Sequence, residues 1–121
     1  MQSLEHERAK FAYNKIKNIE NHSEKDKYKS YVANLGTLIL TNGLLSTVAF
    51  YSKEDIHKEI IEWLKERLVN ENLIPANQIN FAKTISELPI ERYILVTNAS
   101  LSIAQWLKRF AEAILNKESK Q

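Results

Sequence analysis

The hydrophobic residues of this chain recur mostly at intervals of three and four, the spacing of α-helices that bury one face. The first such segment runs from about Ser3 to Glu20, and the Ser3 hydroxyl is expected to cap its start. Its residues expected to face a core are Ala9, Ala12, Tyr13, Ile16 and Ile19. At about 100° per residue, Lys10 and Lys17 fall on one flank of this apolar face and Lys15 falls on the other.

Three further segments fill the middle of the chain. A second helix is expected to start with a cap at Ser23 and to stop at Asn42-Gly43, where glycine suits a left-handed backbone. A short, nearly all-apolar helix follows over Leu44–Tyr51. Ser52 is then expected to cap a helix that runs to about Val69 and carries an acidic outer stripe.

The last third of the chain is predicted to contain its longest helix. Asn70–Glu87 is irregular, with a single helical turn expected around Phe81–Ile85. Pro89 is a favoured first-turn residue for a helix that continues to about Asn116. Because this helix is apolar over much of its circumference, it is expected to lie centrally or to be covered by a second copy of the chain.

Together these segments predict an all-α fold, namely a single compact bundle of about five to six helices with a long, largely buried C-terminal helix. A length of 121 residues is typical of one domain, so residues 1–121 are assigned to one helical domain. Only two glycines and two prolines are present, too few for the turns of a many-stranded sandwich or barrel.

Composition also limits the chemistry and the location. The absence of cysteine excludes disulfides, zinc–thiolate sites and a cysteine nucleophile. The N-terminus is charged and has no apolar run, unlike a secretory signal. The longest apolar stretch, Leu35–Phe50, is short and interrupted by Asn42-Gly43, so no membrane span is expected. A cytoplasmic protein is predicted.

No residue pattern predicts catalysis. The three histidines are not paired at metal-ligand spacing, and His57 is interpreted as an interior histidine. Glu59, Glu62 and Glu66 share a helix face, where carboxylates can hold a metal or transfer protons, but a solvated face is the commoner arrangement. There is no glycine-rich phosphate loop and no nucleophile motif. We therefore expect no enzyme activity, no metal and no cofactor.

The distribution of charge suggests a polyanion as a partner. Residues 1–53 carry net charge +3, residues 54–91 carry −4 and residues 92–121 carry +3. Lys25, Lys27 and Lys29 crowd the start of the second helix, where the helix dipole mildly disfavours cations. This asymmetry fits a modest polyanion-binding face or a head-to-tail contact between copies, and it also fits mixed, solvated helix surfaces.

Three motifs resemble one family, the small helical subunit of type III-B CRISPR RNA-guided effector (Cmr) complexes. They are Arg8-Ala9-x-Phe11-Ala12-Tyr13-x-x-Ile16, Asn42-Gly43-Leu44-x-x-Thr47-x-Ala49-Phe50 and Trp106-Leu107-Lys108-Arg109-Phe110-Ala111-Glu112-Ala113. They occur in the family's order and spacing and together span most of the chain. The family often has a glutamate seven residues before the tryptophan, where this chain has Ala99, so Arg8 is expected to find a different ionic partner.

The resemblance implies a non-catalytic subunit that acts with the other Cmr subunits in antiviral defence. Several copies would stack into a filament lining the groove that holds guide RNA and target RNA, while the isolated chain would be monomeric. Base pairing would read the RNA sequence, and this chain would contact phosphates. The residues proposed to bind nucleic acid are Lys15, Lys17, Lys25, Lys27, Lys29 and Arg109. Leu101, Lys108 and Leu115 are proposed for subunit contact.

Two other functions remain open from the sequence. One is a helical DNA-binding regulator, although no helix gathers Arg, Asn, Gln and Ser on one exposed face as a major-groove reader would. The other is a scaffold that binds only protein, which the sequence does not separate from an RNA-contacting subunit.

Overall fold

The computed structural model describes residues 3–115, and within that range it contains six helices and no strand. The predicted all-α architecture, with a long C-terminal helix, is confirmed. The helices are α1 Leu4–Asn18, α2 Lys25–Asn42, α3 Leu44–Tyr51, α4 Asp55–Asn70, α5 Phe81–Ser86 and α6 Ile90–Ile114. The predicted end of the last helix at Asn116 lies outside the described residues. No helix within residues 3–115 has the length and apolar character needed to cross a membrane.

The helix ends show which capping signals act. Ser3 caps α1 as predicted, with its hydroxyl accepting from the backbone N–H of His6 at 3.2 Å. The predicted caps at Ser23 and Ser52 are wrong: α2 begins after Glu24 and α4 after Glu54, and neither start has a side-chain cap. The Ser52 hydroxyl donates instead to the carbonyl of Val48, closing the preceding helix.

Gly43 lets the chain turn between α2 and α3 without an intervening loop. Its φ of +90° is rarely adopted by residues with a side chain, which explains a glycine at this position. The turn is tied to α6, because the backbone N–H of Leu45 donates to the Tyr93 hydroxyl at 3.1 Å. Helix α3 is therefore anchored at its first turn to the longest helix of the bundle.

Helix α6 lies between α1 and α2 and makes the most extensive helix contacts in the molecule. Small residues bring α2 and α6 together: a Cβ added at Gly36 would lie 3.6 Å from the Ala104 Cβ. One side of α6 enters the core, whereas Ile90, Ile94 and Leu95 on its other side remain more than half exposed. The core-facing side of α6 consists of Val96, Ala99, Ser100, Ile103, Ala104, Leu107 and Ala111.

A cluster of buried and partly buried aromatic residues holds α2, α3 and α4 together. The His57 ring stacks on Tyr31 with a centroid distance of 3.7 Å and is 14% exposed, so this histidine is packed at the edge of the core and is not fully interior. The Tyr51 hydroxyl donates to the Tyr31 carbonyl at 2.6 Å, and burial raises the pKa of that phenol. Tyr28, which lies between Lys27 and Lys29 in the sequence, is only 3% exposed and donates to the Glu59 carboxylate. Glu59 therefore has a structural partner.

An ion-pair network joins α1 to the end of α4. Arg8 donates to both carboxylate oxygens of Glu71, from Nε at 2.9 Å and from Nη2 at 2.7 Å, and Arg67 Nε donates to the same group at 2.9 Å. Only 5% of the Glu71 side chain and 10% of the Arg8 side chain are exposed. Ala99 lines a surface hollow together with Arg8 and Glu71. Arg8 therefore pairs with Glu71 in a chain that has alanine where the family often has a glutamate.

Candidate nucleic-acid interface

Two of the predicted RNA-binding residues lie at opposite ends of one surface strip formed by α1 and α6. The strip consists of Lys17, Tyr13, Phe110, Trp106 and Arg109, and we call it the basic strip. Tyr13 packs edge-on against Phe110 with ring centroids 5.5 Å apart. Phe110 in turn stacks on Trp106 with ring centroids 5.8 Å apart. The Arg109 guanidinium lies 5.4 Å from the centroid of the Trp106 ring. The two cations of the basic strip, Lys17 and Arg109, are exposed.

Lys17 lies one helical turn after Tyr13, with which it interacts electrostatically, and it also pairs with Glu20. The ion pair with Glu20, at 2.9 Å, raises the pKa of the Lys17 ammonium, and the neighbouring Tyr13 hydroxyl adds to this effect. Tyr13 was expected in the core, but 41% of it is exposed because it lies to one side of the buried face of α1. The strip thus combines exposed charge with partly exposed aromatic surface.

Glu5 fixes the position of the Trp106 ring. The indole Nε1–H donates to the Glu5 carboxylate at 2.7 Å, and the Ser102 hydroxyl donates to it at 3.0 Å. The hydrogen bond from Trp106, with smaller contributions from Ser102 and Arg8, lowers the pKa of Glu5 despite the opposing effect of burial. This bond orients the ring on which Arg109 rests.

Trp106→Phe is expected to raise the Glu5 pKa towards its ordinary value of about 4.3, because it removes the N–H that favours the ionised carboxylate. A carboxyl-detected NMR titration measures this shift, with Trp63→Phe as the matched tryptophan control. The same variant should lose about 1 kcal/mol of stability at neutral pH through the missing hydrogen bond. An unchanged Glu5 pKa in Trp106→Phe would show that the indole bond does not form in solution.

Lys10 is a basic residue of this region that the predicted set omitted. It is exposed, lies seven residues before Lys17 and therefore occupies the same flank of α1. The helical spacing already placed both lysines on this flank, but without the aromatic neighbours on α6 nothing distinguished that flank from the opposite one.

Lys15 is not part of this surface. It lies on the opposite flank of α1, where its ammonium pairs with Glu66 on α4 at 2.8 Å and lies 5.3 Å from the centroid of the Phe11 ring. A quarter of its side chain is exposed. The structure therefore gives Lys15 a role between α1 and α4 and separates it from Lys17.

The three lysines at the start of α2 do not form one cluster. Lys25 and Lys29 are one turn apart on the same flank, whereas Lys27 lies about 200° around the helix from each of them. Lys27 pairs with Glu24 at 3.2 Å and lines a hollow with Lys53. A single stretch of RNA backbone would therefore meet either Lys27 or the other two lysines of one copy.

The residues proposed for subunit contact are also divided. Leu101 and Lys108 line an open groove between α2 and α6, beside Leu40, which is 74% exposed. Leu115, in contrast, is fully buried, so its predicted position at a subunit surface is wrong for the folded chain. Leu115 follows the last residue of α6 and has non-helical backbone angles, so helical spacing did not give its direction.

Within residues 3–115 no group of three or more histidine, aspartate or glutamate side chains is placed to hold a metal ion. Glu59, Glu62 and Glu66 of α4 are instead engaged with neighbours. Glu62 pairs with Lys65 at 3.3 Å, and Glu66 pairs with Lys15. The arrangement on the described surface offers cations and aromatic rings, which suits binding of an anion or of a base.

Comparison with known proteins assigns the chain to a family. Residues 4–114 match the sequence model described as CRISPR-associated protein (Cas_Cmr5). The CRISPR system Cmr subunit Cmr5 of Thermotoga maritima is 31% identical over 122 residues, covering 100% of this chain and 92% of that protein. A crystal structure of a CRISPR-associated Cmr5 family protein from Thermus thermophilus superposes with a TM-score of 0.81 and 24% identity, over 96% of this chain and 100% of the other. The chain belongs to the Cmr5 family, the small-subunit family of type III-B CRISPR complexes that its three motifs resemble.

Proposed function

We propose that this chain is a non-catalytic small subunit of a type III-B Cmr ribonucleoprotein and contacts RNA phosphates through the basic strip. Several copies stack beside the larger subunits and line the groove that holds guide RNA and target RNA. Family membership supports a role within a Cmr complex. The observation that carries the RNA-binding part is that Lys17 and Arg109, from helices at opposite ends of the sequence, lie on one surface with partly exposed aromatic side chains between them.

Phosphate contact is favoured because the cations of the basic strip are exposed and have no strong ionic partner. The ion pair between Lys17 and Glu20 is solvent-exposed, and such pairs contribute little to stability, so a phosphate can replace the carboxylate. Arg109 has no carboxylate partner within the described part of the chain, and its planar guanidinium is suited to phosphate oxygens. Contacts of this kind are independent of base sequence, because phosphates carry none.

The proposal of a non-catalytic role follows from the way the acidic residues are used. A ribonuclease needs an acid and a base, or a metal, placed on either side of one phosphate. The Glu59 carboxylate is bonded to Tyr28, and Glu66 is paired with Lys15. RNA cleavage is therefore assigned to other subunits of the complex.

Contact between subunits is proposed for the groove between α2 and α6. Leu40, Ile94 and Leu101 give this side of the molecule an apolar surface, with Lys108 at one end of the groove. Leu40 and Ile94 are both more than half exposed in the single chain. These few exposed apolar side chains suit a contact that forms inside the complex, and the isolated chain is expected to be monomeric.

The test is reconstitution of a Cmr complex from its other subunits and guide RNA, with and without this chain. We expect the chain to enter the complex and to tighten binding of target RNA, more strongly at 50 mM than at 200 mM salt. Gel filtration and electrophoretic mobility measure the two effects. The isolated chain should leave labelled RNA uncut.

The two main alternatives give different results in the same experiment. If the chain enters the complex but leaves RNA affinity unchanged at both salt concentrations, it is a scaffold that binds only protein. If it stays outside the complex and binds duplex DNA with sequence preference, it is a regulator, and the proposed function is wrong.

A further inference from the structure

A second groove, between α2 and α3, lies away from the basic strip and adjoins the groove proposed for subunit contact, with which it shares Thr37. It has a volume of about 560 Å³, within the range of about 300–1,000 Å³ seen for small-molecule sites. Phe50 lies at this groove and is 51% exposed, an unusual position for a large aromatic side chain. The groove also borders Tyr31 and His57, which belong to the aromatic cluster between α2, α3 and α4.

The aromatic side of this groove is rigid. His57 is stacked on Tyr31 and packs edge-on against Tyr51 at 4.6 Å, so these rings support one another. Phe50 rests at 5.5 Å from His57 with an interplanar angle of 63°, at the outer edge of the cluster. A flat ligand can therefore stack on Phe50 with little loss of side-chain freedom, because the rings behind it are already held in place.

The remaining side chains of the groove are uncharged and available for hydrogen bonds. Asn34, Asn42 and Ser46 line it, and in the part of the chain that the structure describes they make no hydrogen bond to protein. Asparagine presents a donor and an acceptor side by side, which matches the edge of a nucleobase. Aromatic and amide side chains together are the means by which proteins hold unpaired RNA bases.

The charges next to the groove indicate whether it would bind the base or the phosphate of a nucleotide. The neighbouring hollow shares Tyr31 and His57 and contains Lys27 and Lys53, but also three carboxylates. Those carboxylates belong to Glu24, Glu54 and Asp55. Because they outnumber the two lysines, this corner does not favour a phosphate, whereas the uncharged groove suits a neutral planar ring.

We propose that the groove between α2 and α3 binds an unpaired nucleobase, stacked on Phe50 and hydrogen-bonded by Asn34 and Asn42. The inference extends the proposed RNA-binding function, but it concerns a surface separate from the basic strip and does not depend on phosphate contacts. Bound RNA would meet the chain at two places, by its backbone at the basic strip and by one base here.

The experiment uses adenosine, which is uncharged, so its result is separate from that of the phosphate proposal. Amide NMR spectra of the full chain are recorded with increasing adenosine, ribose or adenosine monophosphate. We expect saturable shifts confined to residues around Phe50 with adenosine and none with ribose. The monophosphate should bind no more tightly than adenosine.

Variants separate stacking from simple apolar contact. Phe50→Ala should weaken adenosine binding roughly tenfold, as expected for loss of one base-stacking partner, and Phe50→Tyr should restore it. Leu40→Ala, an exposed apolar residue of the other groove, is the control and should have no effect. Because Phe50 is half exposed, the Phe50→Ala chain should still fold. Asn34→Ala, on the outer face of α2, is a second variant, which tests the proposed hydrogen bond to the base.

The proposal is overturned if millimolar adenosine causes no shifts around the groove, or if Phe50→Ala binds adenosine as well as the unchanged chain does. Shifts produced only by the monophosphate would place a phosphate there and also contradict the proposal. If adenosine does not bind while Phe50→Ala weakens entry into the reconstituted complex, the exposed ring contacts protein. None of these results affects the test of the basic strip.

Discussion

Glu71→Ala is expected to lower the free energy of unfolding by about 3–5 kcal/mol, because it leaves two buried arginine side chains without their shared carboxylate. Arg8 and Arg67 both donate to Glu71, and at most about an eighth of either arginine side chain is exposed. Their remaining acidic neighbours, Glu5 and Glu7, lie at 3.4 and 3.7 Å and are at least half exposed. Those weaker pairs cannot replace a buried carboxylate that accepts hydrogen bonds from both arginines.

Urea unfolding followed by circular dichroism measures this loss. Glu62→Ala is the matched control, because it also removes a glutamate of the same region but breaks only an exposed pair with Lys65. Its cost should stay within about 0.5 kcal/mol. A loss below about 1 kcal/mol for Glu71→Ala would mean that water or another carboxylate reaches the two arginines in solution.

The same network gives stability a defined dependence on pH. Burial by itself disfavours ionisation of Glu71, but the hydrogen bonds and charges of Arg8 and Arg67 outweigh it and hold the Glu71 pKa below its ordinary value. Stabilisation from a lowered pKa is present above the unfolded value of about 4.3 and is lost as pH falls through the folded value. Glu71→Gln should therefore be less stable than the unchanged chain at pH 7 and should lose less stability between pH 5 and pH 3.

The helical framework could be predicted because its signals are local. The α-helical period, the N-cap at Ser3 and the glycine at position 43 each act within a few residues, and the structure has the corresponding features. Ser23 and Ser52 were misassigned because serine is only one possible residue at a helix start. The two helices actually begin after Glu24 and Glu54, which make no side-chain cap. Residue type alone therefore does not identify these two starting points.

The candidate site was harder to predict because its parts come from distant segments. Lys15 and Lys17 are two residues apart, yet one faces Glu66 on α4 and the other lies beside Tyr13 next to α6. Helical spacing gives the angle between two side chains but does not say which neighbouring helix each one meets. The pairing of Arg8 with Glu71, 63 residues away, was unpredictable for the same reason.

Reversing both charges of the basic strip, Lys17→Glu with Arg109→Glu, is expected to weaken target-RNA binding by the reconstituted complex roughly tenfold at 50 mM salt. The loss should shrink as salt rises, because the contacts removed are with phosphates. The slope of log affinity against log salt should fall by about 1.4 for each copy that contacts RNA, at about 0.7 per phosphate on single strands.

A matched control separates this local effect from a change in net charge. Lys58→Glu with Lys83→Glu makes the same change in charge on α4 and α5, away from the strip, and should leave the salt slope unchanged. Lys25→Glu, Lys27→Glu and Lys29→Glu together test the remaining predicted lysines, and we expect a smaller effect per charge because Lys27 lies apart from the other two. Assembly must be intact in every variant, as judged by gel filtration. If both the strip variant and the control weaken binding equally, RNA responds only to overall charge, and the surface formed by α1 and α6 has no special role.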